Sequence, residues 1–171
     1  WTKIIRRSVI EDANIRFDPK RYSQEDWFFL MQVYPLLKGI KQIPLQAYIY
    51  SDDNENSVMR GIHVENTKRN VADSRVTICN FKTYIDCHRY HTFYEYYRQW
   101  LNYSLVGYLY SLFPIDYSIK EIKNDINIFR ERGVYPVGKT GHRKADLFLW
   151  VVNRERIYLL LILLYRKIKG R

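Results

Sequence analysis

From about residue 64 to its end, the chain repeats apolar residues at the 3.6-residue spacing of a helix, broken only near Pro114 and Gly133. Val71, Arg75, Ile78 and Ile85 lie on one such stripe. A very aromatic helix is predicted over 90–113, stopping at Pro114. Ser118 and Glu121 then have capping-box spacing, and Ile119, Ile122, Ile126 and Phe129 line one face until Gly133. Two further helices are expected over 143–152 and 154–169, the second with Asn153 as its cap.

Before residue 62 the pattern is mixed. Residues 2–10 form a short helical or irregular basic segment, and Asn14-Ile15-Arg16-Phe17 reads as an extended piece closed by Asp18-Pro19. Ser23 has the spacing to cap a helix with Asp26, and Trp27, Leu30, Met31 and Tyr34 follow at helical intervals. Pro35 tightens its last turn and Gly39 ends it. Residues 40–50 read as a strand that Pro44 confines to an edge or a bulge, and 51–56 as a polar loop. The expected fold class is therefore α+β, mostly α, with one unit over 1–62 and a helical region over 63–171.

Composition narrows the function classes. A 47% hydrophobic content in 171 residues excludes a disordered tail and is enough for a core. Cys79 and Cys87 are too few for a disulfide framework and too far apart for a zinc knuckle, so they read as reduced thiols. The longest nearly unbroken apolar run, 157–165, falls short of the roughly 20 residues a membrane span needs, which favours a cytosolic protein. Net charge is +10, suited to a polyanionic partner, and sixteen tyrosines offer stacking surfaces. No RNA-binding signature accompanies them, so nucleic acid is not the favoured partner.

The chemistry-bearing pair is Glu25-Asp26. Alone, two carboxylates at a helix start are explained by the free N–H groups and dipole there. Their context is more specific: Trp1-Thr2-Lys3-Ile4-Ile5-Arg6-Arg7-Ser8, then Asn14-Ile15-Arg16-Phe17, then Glu25-Asp26-Trp27, then Tyr48-Ile49-Tyr50 and Asn56-Ser57. This ordered series, over roughly the first 60 positions, resembles the second half of the catalytic domain of family 2 glycosyltransferases of the GT-A type. Gly133-Val134-Tyr135-Pro136 in a helical tail looks like C-terminal extensions of bacterial members.

The resemblance implies that 1–62 is the C-terminal, acceptor-side remnant of a GT-A α/β domain, followed by a helical appendage. It implies inverting transfer of a sugar from a nucleotide-diphosphate donor to a glycan or lipid-linked acceptor hydroxyl, in surface polysaccharide synthesis. Asp26 would be the base and Glu25 a neighbour that orients acceptor hydroxyls. Trp1 would offer an aromatic face to sugar or base, with core packing equally open to it; Lys3, Ser57, Arg60 and His63 complete the expected substrate contacts. A divalent cation, Mg or Mn, is expected in the full-length enzyme, its main ligands lying in a nucleotide-binding half that should precede Trp1. The 171 residues alone are expected to be inactive. Many family members follow the Y-x-Y strand with Arg; here Ser51 stands there, which weakens diphosphate recognition by that loop unless Arg60 or His63 compensates.

Other patterns weigh less. Gly133-x-x-x-x-Gly138-Lys139-Thr140 matches a phosphate loop letter for letter, but a charged helix end precedes it where a buried strand is required; it reads as a helix cap and basic loop. Asp52-Asp53 reads as a solvated turn, and Cys87, His88 and His91 lack a fourth zinc ligand. Residues 157–164 are apolar nearly all round, which means burial between helices or, with Arg166, Lys167, Lys169 and Arg171 behind them, contact through 154–171 with the inner face of an anionic membrane. The rival to the transferase is a basic helical module that binds protein or nucleic acid, and a second rival is an inactive natural remnant.

Overall fold

The computed structural model describes residues 3–20, 24–44 and 64–170. In chain order these form α1 (Arg7–Asp12), α2 (Glu25–Val33), a 3-10 turn (Tyr34–Leu36), α3 (Val64–Cys87), α4 (Tyr94–Ser111), α5 (Ile119–Glu131), α6 (Arg143–Val152) and α7 (Glu155–Ile168). Among the described residues there is no strand, which overturns the α+β expectation and, with it, the α/β GT-A remnant. What is described is helical throughout.

The reason is clearest at Asn14-Ile15, expected to be extended. Asn14 takes a left-handed conformation, φ 50°, just past the end of α1. Its N–H reaches Glu11 O and the Ile15 N–H reaches Ile10 O, both at 3.0 Å. These two bonds are a Schellman cap with Asn where Gly is commoner, and Ile10 packs against the small apolar cluster that holds Ile15. The tetrapeptide thus ends a helix instead of starting a sheet edge. Residues 40–44 are irregular; 45–50, which would carry the rest of the second expected strand, lie outside the described residues.

The core gathers α3, α4, α5 and α7 around Phe81, Leu105, Ile126, Phe129 and Tyr158, and α2 joins it through Met31. A smaller cluster of Ile15, Phe29 and Val33 sits with α1. Helix ends are closed by side chains from elsewhere in the fold. Pro35 has no N–H to give the Met31 carbonyl, and the Tyr97 hydroxyl donates to that oxygen instead at 3.2 Å. Tyr135 Oη donates to Val152 O and Tyr158 Oη to Leu109 O, each at 2.7 Å. Burial pushes the pKa of Tyr97 and Tyr158 well up, which keeps these hydroxyls protonated as donors. Much of the tyrosine content is therefore core and capping chemistry.

Ser118 and Glu121 form the expected capping box at the start of α5. Asn153 does not cap α7. Its carboxamide instead accepts from the Val137 N–H and donates to the Val137 carbonyl, both at 2.8 Å, pinning the loop between α5 and α6. In that loop Gly133, φ +65°, closes α5 with a second Schellman cap: Val134 N–H to Phe129 O at 2.8 Å and Gly133 N–H to Arg130 O at 3.0 Å. The Tyr135-Pro136 peptide is cis. Thr140 donates through its N–H and hydroxyl to Asp146 Oδ1, both at 2.8 Å, so the Gly-Lys-Thr sequence is tied to the start of α6.

Candidate functional site

The sequence placed the chemistry at the start of α2, and the local structure there is simple. Gln24 sits in the left-handed region, φ 61°, and its side chain donates to Ser74 Oγ on α3 at 2.5 Å, anchoring the entry to the helix. Glu25 and Asp26 occupy the first turn, Glu25 half-buried and Asp26 exposed. Asp26 Oδ1 accepts from the Trp27 N–H at 2.7 Å. The expected Ser23 cap lies outside the described residues.

Trp27 turns the other way, into an aromatic cluster. It meets Phe81 of α3 and Trp100 of α4 edge-on, with centroids 5.1 and 5.3 Å apart. Trp100 carries Tyr96 beside it at 6.1 Å, and Tyr96 is exposed. The exposed Asp26 carboxylate is thus one residue along the chain from an aromatic cluster whose Tyr96 ring reaches solvent. Such surfaces suit the apolar faces of sugar rings as well as bases.

Of the other expected site residues, Lys3 is exposed ahead of α1, and among the described residues no ion pair joins it to Glu25 or Asp26. Trp1, Ser57, Arg60 and His63 lie outside the described residues, as does Asp52-Asp53. No three His, Cys, Asp or Glu side chains come together among the described residues as a cation site. His88 and His91 serve the α3–α4 joint: His88 Nδ1 meets Tyr84 O at 2.7 Å, and His91 Nδ1 accepts from the Phe93 N–H at 3.2 Å. Two shallow clefts, of about 500 and 550 Å³, lie along α5 and between α5 and α7, away from α2.

One polar cluster escaped the sequence reading. Asp125 of α5, almost fully buried, accepts from Arg75 of α3 and from the Tyr108 hydroxyl of α4. Burial and the Asp125 hydrogen bond raise the Tyr108 pKa; burial pulls Arg75 down, but Asp125 more than offsets it and the net shift is upward. The cluster staples three helices and opens onto neither cleft. The signal for it was available: Asp125 interrupts the Ile122, Ile126, Phe129 face, and Arg75 stands on the α3 apolar stripe.

No family model, no curated protein and no solved structure matches this chain.

Proposed function

We propose that the chain takes part in inverting glycosyl transfer, with Asp26 as the base that receives the acceptor hydroxyl's proton. The single observation that supports this reading is the exposed Asp26 carboxylate in the first turn of α2, one residue along the chain from Trp27 of the Trp27–Trp100–Tyr96 cluster. The ordered series of motifs from Trp1 to Ser57 supplies its chemical identity. In this reading the acceptor oxygen loses its proton to Asp26 and bonds to the anomeric carbon, while the nucleotide diphosphate leaves from the opposite face. Glu25 holds a neighbouring acceptor hydroxyl. No step is assigned to the cation, and no α/β fold is part of the proposal.

The test is Asp26→Asn in the full-length polypeptide that carries this sequence, with transfer from nucleotide sugars to glycan acceptors measured. Loss of about 10²–10⁴-fold in turnover, with unchanged far-ultraviolet circular dichroism, is the expected result. Wild-type turnover in the variant sinks the assignment. A basic helical interaction module is the second reading, favoured by the strand-free architecture of the described residues. It predicts that Asp26→Asn changes nothing.

A further inference from the structure

α7 is amphipathic in an unusual sense, because the face turned away from the core is also apolar. Tyr158, Leu159 and Ile162 are buried, whereas Leu160, Leu163, Leu164 and Ile168 are between 46% and 82% exposed. On a helical wheel Leu160, Leu163 and Leu164 share one outward arc with Arg156 and Lys167. α6 repeats the arrangement. Leu147 and Trp150 are exposed on the arc that carries Arg143, and the guanidinium of Arg154, two residues past the helix, lies 4.3 Å from the Trp150 ring centre.

Charge says what covers these faces. Residues 143–170 hold seven Lys or Arg and two carboxylates. Both carboxylates are engaged within the fold: Asp146 by Thr140, and Glu155 by Arg130 at 2.9 Å. Arg166 is engaged too, for its guanidinium donates to the carbonyls of Leu112, Ile115 and Tyr117 and closes the end of α4. That removes it from the basic tail read in the sequence. Arg143, Lys144, Arg154, Arg156, Lys167 and Lys169 remain on the surface. The cleft between α5 and α7 is lined by Lys123, Arg154, Arg156 and the Arg130-paired Glu155, which places three cations and one neutralised carboxylate at the start of the apolar arc.

We propose that α6 and α7 lie on an anionic lipid surface, with Leu160, Leu163 and Leu164 of α7 and Trp150 of α6 inserted at the headgroup boundary and the exposed basic side chains among the headgroup phosphates. An apolar face rimmed by cations, its one neighbouring carboxylate Glu155 already paired with Arg130, is the pattern of an interfacial helix. A protein partner with an apolar patch would not require cations at both ends of α7. Among the described residues no helix is long and apolar enough to cross a membrane; α7 at 1.5 Å per residue spans about 21 Å, so the helix lies along the surface. This inference does not rest on the glycosyl-transfer reading.

The experiment is flotation of the 171-residue chain with vesicles of phosphatidylcholine containing graded phosphatidylglycerol. Binding rises with the anionic fraction and falls from low to physiological salt. Leu160→Glu with Leu163→Glu abolishes flotation while circular dichroism stays unchanged, since both positions are exposed. Neutralising Lys167 and Lys169 to Gln weakens partitioning about 25-fold, at about five-fold per basic residue. A blue shift of fluorescence on vesicle addition is lost in Trp150→Phe. The proposal is overturned by no flotation at low salt, by binding indifferent to the two Leu→Glu changes, or by a dimer that those changes dissolve. The last outcome would assign the face to a second copy of the chain.

Discussion

The residues after 64 and those before 44 are built by different rules. In the later part every helix contributes to one core, and the end of α4 is closed by side chains that come from far along the chain, Tyr158 on Leu109 O and Arg166 on Leu112 O. In the earlier part the helices are short, the separate cluster consists of Ile15, Phe29 and Val33, and α1 is closed locally by its Asn14 cap. α2 bridges the two, through Met31 and Trp27 into the larger core and through Phe29 and Val33 into the smaller. Asp26 sits at the exposed start of that bridge, where charge is cheap to keep solvated, whereas Asp125, the one buried carboxylate among the described residues, sits in the larger body, where it must be paired. Position in the packing therefore separates the roles of Asp26 and Asp125 more cleanly than residue type does.

The largest test of this contrast is to remove each carboxylate in turn. Asp125→Ala leaves the Arg75 guanidinium and the buried Tyr108 hydroxyl without their partner, and is expected to cost about 3–5 kcal/mol in urea unfolding, toward the lower end because Arg75 keeps some solvent. Asp26→Ala, exposed, is expected to stay within about 0.5 kcal/mol. Equal losses would mean that the earlier part is packed as tightly as the later one, and the contrast would fail.

The two Schellman caps offer a finer test, because the same device is used once in each part. A Cβ at Gly133 would meet only Lys82, at 3.9 Å, so the cost of Gly133→Ala is conformational: about 1–2 kcal/mol for the left-handed backbone. Because Val134 and Tyr135 are buried in the main core, that loss should lower the global unfolding free energy. Asn14→Ala carries a comparable local penalty at φ 50°, but hydrogen exchange should confine it to the amides near 9–15, with the protection of α4 and α5 unchanged. A global effect of Asn14→Ala would show the small cluster to be part of one cooperative unit.

Why one of these caps was legible and the other was not is instructive. Gly after an amphipathic run is the ordinary stop signal, and it marked the end of α5 correctly. Asn at the same structural position reads equally well as the start of an N-I-R-F strand, and only the Ile10–Ile15 hydrogen bond decides between them. The helix over 119–131 was legible because period and caps agreed, and the one over 143–152 was legible without a side-chain cap. Asn153 was misread because an amide next to a helix start is ordinarily a cap, and nothing local reveals that Val137, sixteen residues back, claims it. Arg166 was misread for the same reason: its partners are about 50 residues away. The exposed start of α2 was legible from Glu25-Asp26; its aromatic neighbour on α4 was not, because Trp27 and Trp100 meet only through the fold.

The smallest effect concerns the start of α5, whose capping box is complete. The Ser118 side chain and N–H both bond Glu121, and they hold its carboxyl below the usual glutamate range. A depressed folded value means that the unfolded chain binds that proton more tightly, so stability rises with pH across this window. The contribution is fully present above the ordinary glutamate range and is lost as pH falls through the depressed folded value. Because Glu121 is exposed, the amplitude should be well under about 1 kcal/mol once solvent screening is counted. Glu121→Gln keeps an acceptor for the Ser118 N–H but has no proton to bind, so its acid limb should be shallower than that of the wild type by this amplitude. Ser118→Ala should lower stability by about 1 kcal/mol at neutral pH and flatten the same limb. At α2, where Gln24 makes no side-chain cap, the helix start has no such pair of bonds to lose.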